Sequence, residues 1–405
     1  MQILDFSFEP TVKVSVIIVS YNTRYFLEQC LISVFRAIEN WHSIDPGNNQ
    51  VEVMVVDNHS SDGSLEYLTA IFPVVKFISN VANTGFAKAN NQALLVANGQ
   101  YVLFLNPDTI VTEGFFVQCV SFLDENPAAG AIGVQMINGQ GHFLKESKRG
   151  FPTPWASFSR LFGLASVFPS SVVFAKYYLG HLDKNSTHEV EALSGACMMV
   201  RRDVLDKTGG FDERFFMYAE DIDLSFRIHQ QGYKNFYLAN TTIIHFKGQS
   251  TTKDQHYVKL FYRAMIQFVE KHYSSRSALY ARLLKTAIAL RGRLESTKQQ
   301  TKKSTQAEGL KFLVEGDETS VQEVRSLRQG EATILGEGKE VNGIILCEGK
   351  EFPFSMLVEK MKRSPGTNYL IHAFGSKAFV GDLLSNQNRQ FNAAGNHAEL
   401  QPFHR

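Results

Sequence analysis

Cysteine is scarce: Cys30, Cys119, Cys197 and Cys347 are the four in 405 residues, far apart and without a Cys-x-x-Cys pair. That spacing argues against a disulfide framework or a zinc site and fits a reducing compartment. Neither sign of charge dominates, because 41 Lys+Arg against 40 Asp+Glu leave a net +1. Without a global field no nucleic acid partner is expected, and any anion site must be local. No uninterrupted apolar run approaches the ~18–20 residues that cross a bilayer. The stretch Met1 to Thr11 carries Asp5 and Glu9 and lacks the basic and apolar regions of a signal peptide. These absences predict a cytoplasmic protein, with peripheral contact at the inner face of the cell membrane left open. What is present is 44% hydrophobic content, enough for a sizeable core, over a length that suits two or three domains.

Val14–Val19 is a continuous, β-branched apolar run, as a strand covered on both faces requires. Ser20-Tyr21-Asn22-Thr23 supplies a turn and a helix cap, and the helix runs to about Ala37. Val51–Val56, Val74–Ile78 and Tyr101–Leu105 predict further strands, and helices after Gly63 and Gly85 separate them. Polar residues end each strand. The pattern is that of a mostly parallel α/β sheet, which binds ligands outside the carboxyl ends of its strands. Tyr21, Asp57, Asn83 and Asp108 would converge there. Glu191–Arg202 and Tyr237–His245 read as later strands, and Phe151–Tyr178 as a long aromatic loop near the mouth of the site. Lys298–Gln306 reads as a polar linker, and the alternation from Leu310 to Phe374 as a small second α/β domain.

Three constellations can carry chemistry. Asp108 in Asn106-Pro107-Asp108 stands at a strand end, where it can hold Mg²⁺ or Mn²⁺ or cap the next helix. Tyr218-Ala219-Glu220-Asp221-Ile222-Asp223 crowds three carboxylates, which raises the pKa of at least one and suits a general base. On a helix Glu220 and Asp223 share a face. The competing reading is an acidic helix N-terminus, and the literal Asp-x-Asp could equally be the metal site. His245, after a strand, is a metal ligand or a structural histidine. Asp57 can accept a hydrogen bond from a nucleobase or close a turn, and Gly85 permits a close backbone approach. Ser277–Leu294 is a basic amphipathic helix, suited to packing on the catalytic domain or to lying on an anionic membrane.

In order, VSVIIVSYNTRYFLEQCLISV, VVDNHSSDGS, NTGFAKANNQAL, YVLFLNPDT, LSGACMMVRRDVLDKTGGFDERFFMYAEDIDLSFRIHQQGY and IIHFKGQST resemble the family 2 glycosyltransferases, and within them the bacterial rhamnosyltransferase-like branch. The resemblance covers about residues 12–275. It implies a GT-A fold and inversion at the anomeric carbon. It implies nucleotide contacts at Ser20, Tyr21, Asn22, Asp57, Asn83, Gly85, Lys88 and Asn106. It places a divalent metal, Mn²⁺ or Mg²⁺, on Asp108 and His245. Asp221 becomes the base, with Glu220 and Asp223 beside it. The donor is a nucleotide diphosphate sugar of rhamnose type, and the acceptor a glycan or lipid-linked glycan in cell-surface polysaccharide synthesis. The family metal motif is commonly Asp-x-Asp; Asn106 replaces its first Asp here and removes one negative charge. The rival readings are a non-catalytic nucleotide-sugar-binding module and a hydrolase or nucleotidyltransferase on a similar sheet. The expected organisation is a catalytic domain over 1–275, a basic helix and linker over 276–308, a Rossmann-like accessory domain over 309–385 and a disordered tail over 386–405.

Overall fold

The computed structural model describes residues 12–47, 49–153, 159, 164–248, 255–273, 286, 311–326, 333–334, 341–382 and 391–392. The expected helix Ser277–Leu294, apart from Thr286, the linker Lys298–Gln306 and the aromatic residues Trp155, Phe158 and Phe162 lie outside them. Of the expected tail, Phe391–Asn392 are described, paired antiparallel with Ala378–Phe379.

The first half follows the alternation in the sequence: β1 (Val12–Ser20), α1 (Arg24–Ile44), β2 (Gln50–Asp57), α2 (Ser64–Ile71), β3 (Lys76–Ser79), α3 (Phe86–Leu94) and β4 (Tyr101–Leu105). After it come β5 (Thr109–Ile110), α4 (Phe115–Glu125), β6 (Ala129–Ile137), β7 (His188–Val190), β8 (Cys197–Arg201), α5 (Arg202–Thr208), α6 (Glu220–Gln230), β9 (Lys234–His245) and α7 (Gln255–Tyr273). The strands form one nine-stranded sheet in the order β3-β2-β1-β4-β8-β6-β9-β5, with β7 also on β9. β1 to β4 are mutually parallel, as expected. β8 then runs antiparallel between β4 and β6, so the sheet is mixed beyond that point.

Both faces of β1 are buried, and alternation sorts its residues. Val14, Val16 and Ile18 join a core with Leu27, Leu31 and Phe116 from α1 and α4. Ile17 and Val19 face the opposite core with Ala87 and Ala93 of α3. Every residue of β6 is buried, yet Gly130 and Gly133 break the apolar pattern that marks a strand in sequence. The strand expected over Glu191–Arg202 is shorter, Cys197–Arg201, because Leu193 to Ala196 form a loop that enters the site.

A second, parallel sheet follows in the order β11-β10-β12-β13: β10 (Lys311–Gly316), β11 (Thr333–Ile334), β12 (Gly343–Cys347) and β13 (Tyr369–His372). Helices α8 (Glu318–Ser326) and α9 (Phe354–Arg363) flank it. This is the small Rossmann-like α/β module expected from the sequence. One face of it joins the first core, since Leu346, Phe354, Leu357, Met361 and Tyr369 belong to the same buried cluster as Val16, Leu31 and Phe116; the other buries its own cluster of Phe312, Val324, Ile345, Cys347, Leu370 and Phe379.

Candidate active site

A cavity of about 410 Å³ opens at the carboxyl ends of β1, β2 and β4. Tyr21, Asn83, Asn106, Asp108, Glu220, Asp221 and His245 line it, so the parallel half of the sheet brings together the residues that the sequence places there.

At the nucleotide end, Asn58 orders the loop that carries Asn83. Its amide nitrogen donates to Asn83 Oδ1 at 2.9 Å, and its oxygen accepts from Thr84 N at 3.0 Å. Asp57 lies one residue behind the cavity wall. Its Oδ2 accepts from Ser60 N at 3.1 Å, while the buried Oδ1 has no hydrogen-bond partner. Gly85 has φ 85°, and a Cβ there would stand 2.6 Å from Phe216 O. Glycine is required because the 216 segment docks onto this turn, with Phe86 N donating to Phe216 O at 2.8 Å. Ser20 is buried and shares a hydrogen bond with Thr23 at 2.9 Å, and Asn22 accepts from Ser61 N at 2.7 Å. The first holds the β1–α1 turn, and the second ties it to the turn after β2. Lys88 is exposed on α3 and does not line it.

Antiparallel pairing of β5 with β9 sets Thr109 opposite His245, and Phe246 N donates to Asp108 O at 3.0 Å. His245 Nε2 consequently lies 3.4 Å from Asp108 Oδ1 and 3.5 Å from the Asn106 amide nitrogen. His245 Nδ1 is buried without a hydrogen-bond partner. Among the described residues no group of three or more His, Cys, Asp or Glu could hold a metal ion. The donor set fits a cation that keeps outside ligands: one carboxylate, one imidazole and an amide oxygen, with phosphate oxygens and water to complete the shell.

Across the cavity, Tyr218 (φ 72°) and Ala219 (φ 66°) are consecutive left-handed residues, a strained conformation for side chains with a Cβ. They turn the chain sharply into α6, so that Glu220 and Asp221 both face the cavity. Asp223 does not. It is fully buried and bonded to Arg227 at 2.8 Å, Lys271 at 2.5 Å and His272 at 2.7 Å, which fastens α6 to α7. The expectation that Glu220 and Asp223 share a face is corrected at the site: both lie in α6, but Arg227, Lys271 and His272 hold the Asp223 carboxylate against α7, while Glu220 and Asp221 line the cavity.

Asp221 is held from three sides. Arg149 donates to Oδ2 at 2.6 Å, Gly195 N to the same oxygen at 2.9 Å, and Ile222 N to Oδ1 at 2.7 Å. A Cβ on Gly195 would lie 3.2 Å from Asp221 Cβ, so only glycine lets the loop come this close without displacing the side chain. Burial pushes the Glu220 carboxyl up to about 8, reinforced by the charge of Asp221. Glu220 Oε2 has no hydrogen-bond partner. Sequence reasoning missed Arg149, Asn58, Tyr177 and the rim pair Glu146–Lys247. The basic Lys148-Arg149 pair beside a Gly-Phe-Pro turn is the one local signal that Arg149 offered. A second cavity of about 390 Å³, floored by Leu260 and Ala264 and edged by Arg214 and Arg263, shares Met217 with the first.

Residues 15–209 match the family model described as Glycosyl transferase family 2, and residues 163–296 match that of Glycosyl transferase family 21. The chain is 28% identical over 250 residues to an N-acetylglucosaminyl-diphospho-decaprenol L-rhamnosyltransferase of Mycobacterium tuberculosis, a match that covers 59% of this chain and 78% of that one. It is 25% identical over 184 residues to the low-salt glycan biosynthesis hexosyltransferase Agl10 of Haloferax volcanii, covering 44% of this chain and 54% of that one. Among solved structures, the mannosyltransferase PcManGT of Pyrobaculum calidifontis in complex with GDP-Man and Mn²⁺ aligns with a TM-score of 0.43 at 18% identity, over 72% of this chain and 77% of that one. Among the described residues no helix is long and apolar enough to cross a membrane.

Proposed function

We propose that this chain, of which residues 15–209 match the model of glycosyl transferase family 2, carries out an inverting, metal-dependent transfer of one sugar from a nucleotide diphosphate donor to a glycan or lipid-linked glycan in cell-surface polysaccharide synthesis. The observation that carries the reading is one cavity with Asp108 and His245 on one wall and Glu220 and Asp221 on the other. A rhamnose donor and a diphospho-lipid acceptor take their support from the printed name of the mycobacterial relative.

The nucleotide lies against Tyr21, Asn58 and Asn83, and Asp57, one residue behind the wall, orders the turn beside them through Ser60 N. Asp108 and His245 would hold the cation, which when bound supplies positive charge to the departing diphosphate. Asp221 takes the proton of the acceptor hydroxyl. The acceptor oxygen then bonds to the anomeric carbon on the face opposite the diphosphate, and the bond from that carbon to the phosphate oxygen breaks. Arg149 and Gly195 N–H fix the carboxylate for this task. Burial and the neighbouring Asp221 charge favour the neutral form of Glu220, which leaves Asp221 as the carboxylate that takes the acceptor proton. The acceptor reaches Asp221 past Met217 from the arginine-edged groove, where Arg263 suits a phosphate.

The test is a donor panel. Purified protein, Mn²⁺ or Mg²⁺, candidate acceptors and a set of nucleotide sugars are assayed for release of nucleotide diphosphate. Metal-dependent release from one donor, lost in Asp108→Ala, is expected. Release that persists equally in chelator would overturn the metal assignment.

A further inference from the structure

We infer that the C-terminal module supports the donor cavity from behind, and that Asp382 is a positioning residue for the His245–Gly248 turn. The inference rests on the proposed function and extends it to a part of the chain outside the family match.

The carboxyl edge of a parallel sheet is where a Rossmann-like module would receive a ligand. Here α1 fills it. The Gln29 amide nitrogen donates to Ser376 Oγ at 2.7 Å and to Ala378 O at 2.9 Å, and its oxygen accepts from Ala373 N at 2.9 Å. Arg36 pairs with Glu348 at 3.3 Å. Glu113 caps the start of α9, accepting from Phe354 N at 2.7 Å and Ser355 N at 3.0 Å. All of these side chains are committed to docking, and the edge that could have been a second ligand site is an interface.

The interface leads directly to the first site. Asp382 follows the last strand turn of the module, and its carboxylate accepts the Gly139 backbone N–H. A Cβ at Gly139 would lie 2.8 Å from Asp382 Cγ and 3.0 Å from Phe246 Cδ1, so the three residues meet directly behind β9. Asp382 is within electrostatic reach of His245, Lys247 and Asp108. The turn that it backs is conformationally demanding: Lys247 has φ 53° and Gly248 φ 76°. A lysine holds a left-handed conformation only where its surroundings impose it. Glu146 engages Lys247 from the cavity rim, and Asp382 supplies negative charge from behind. Together they hold His245 and Lys247 facing the space where the diphosphate lies. Supporting groups of this kind change metal affinity by about 10–100-fold when removed.

The test uses the full-length chain, with dTDP and UDP titrated calorimetrically in the presence and absence of Mn²⁺. Asp382→Ala should weaken the Mn²⁺-dependent binding at least tenfold and leave the metal-free binding unchanged, with Asp382→Asn between it and wild type. Gln140→Ala removes a hydrogen bond of 3.0 Å to Asn368 across the same interface without touching the turn, and should bind as wild type does. Wild-type affinity in Asp382→Ala would overturn the proposal. So would an equal fall in both kinds of binding accompanied by a lower Tm, since that marks a merely structural role. Absence of metal-dependent binding in the wild-type chain would overturn the functional reading first, and this proposal with it.

Discussion

Replacing Glu28 with glutamine should stabilise the protein at neutral pH and leave it unchanged in acid. Glu28 sits on α1 under the C-terminal module, 1% exposed. Its Oε1 accepts from Tyr67 OH at 3.0 Å and from Lys377 N at 3.4 Å. Burial pushes its carboxyl from 4.5 up to about 7, and the bonds from Tyr67 and Lys377 offset only part of that. A carboxyl whose folded pKa lies above its unfolded value favours the fold below pH 4.5, and that contribution is lost as pH rises through 7. At 1.36 kcal/mol per unit the whole effect is about 3 kcal/mol between pH 4.5 and pH 8. Glutamine keeps an acceptor for Tyr67 and carries no charge. Thermal unfolding of Glu28→Gln and wild type, measured side by side from pH 4.5 to pH 8, should give equal Tm values at the acid end and a gap of a few degrees in favour of the variant at the alkaline end. A gap that stays constant across the range would refute the reasoning, because no proton would then be linked to folding at this position.

Two further perturbations follow from packing. Gly195→Ala places a methyl group 3.2 Å from Asp221 Cβ, and a displacement of a few tenths of an ångström at the reacting carboxylate should lower kcat by about tenfold or more with KM for the donor unchanged; wild-type turnover would show that the loop yields instead. Phe354→Ala empties a fully buried site shared by α9 and the catalytic core. It should cost about 3–5 kcal/mol by denaturant unfolding, and a loss below 1 kcal/mol would contradict a continuous core.

The parallel half of the sheet was legible because its strands are short runs rich in apolar residues and closed by polar ones. β6 was not, since two of its nine residues are glycine and its burial comes from neighbours far along the chain. The site was legible wherever a residue ends a strand, as Tyr21, Asn106, Asp108 and His245 do. Arg149 meets Asp221 across 72 positions, a pairing that no local pattern encodes. The spelling of the acidic run misled because spacing cannot show which charged side chains pack against it: Lys271 and His272 of α7 claim Asp223, and the cavity is left to Glu220 and Asp221. The C-terminal module was legible as an α/β unit, whereas its continuity with the first core depends on which faces meet.

The most direct test of the account is the transfer rate of Asp221→Asn with the donor and acceptor identified in the panel, set beside its metal-dependent binding of nucleotide diphosphate. The account predicts a fall in kcat of about 10²–10⁴-fold with nucleotide binding retained, because the base is lost while the opposite wall of the cavity is intact. An Asp221→Asn enzyme that kept the full transfer rate would contradict it.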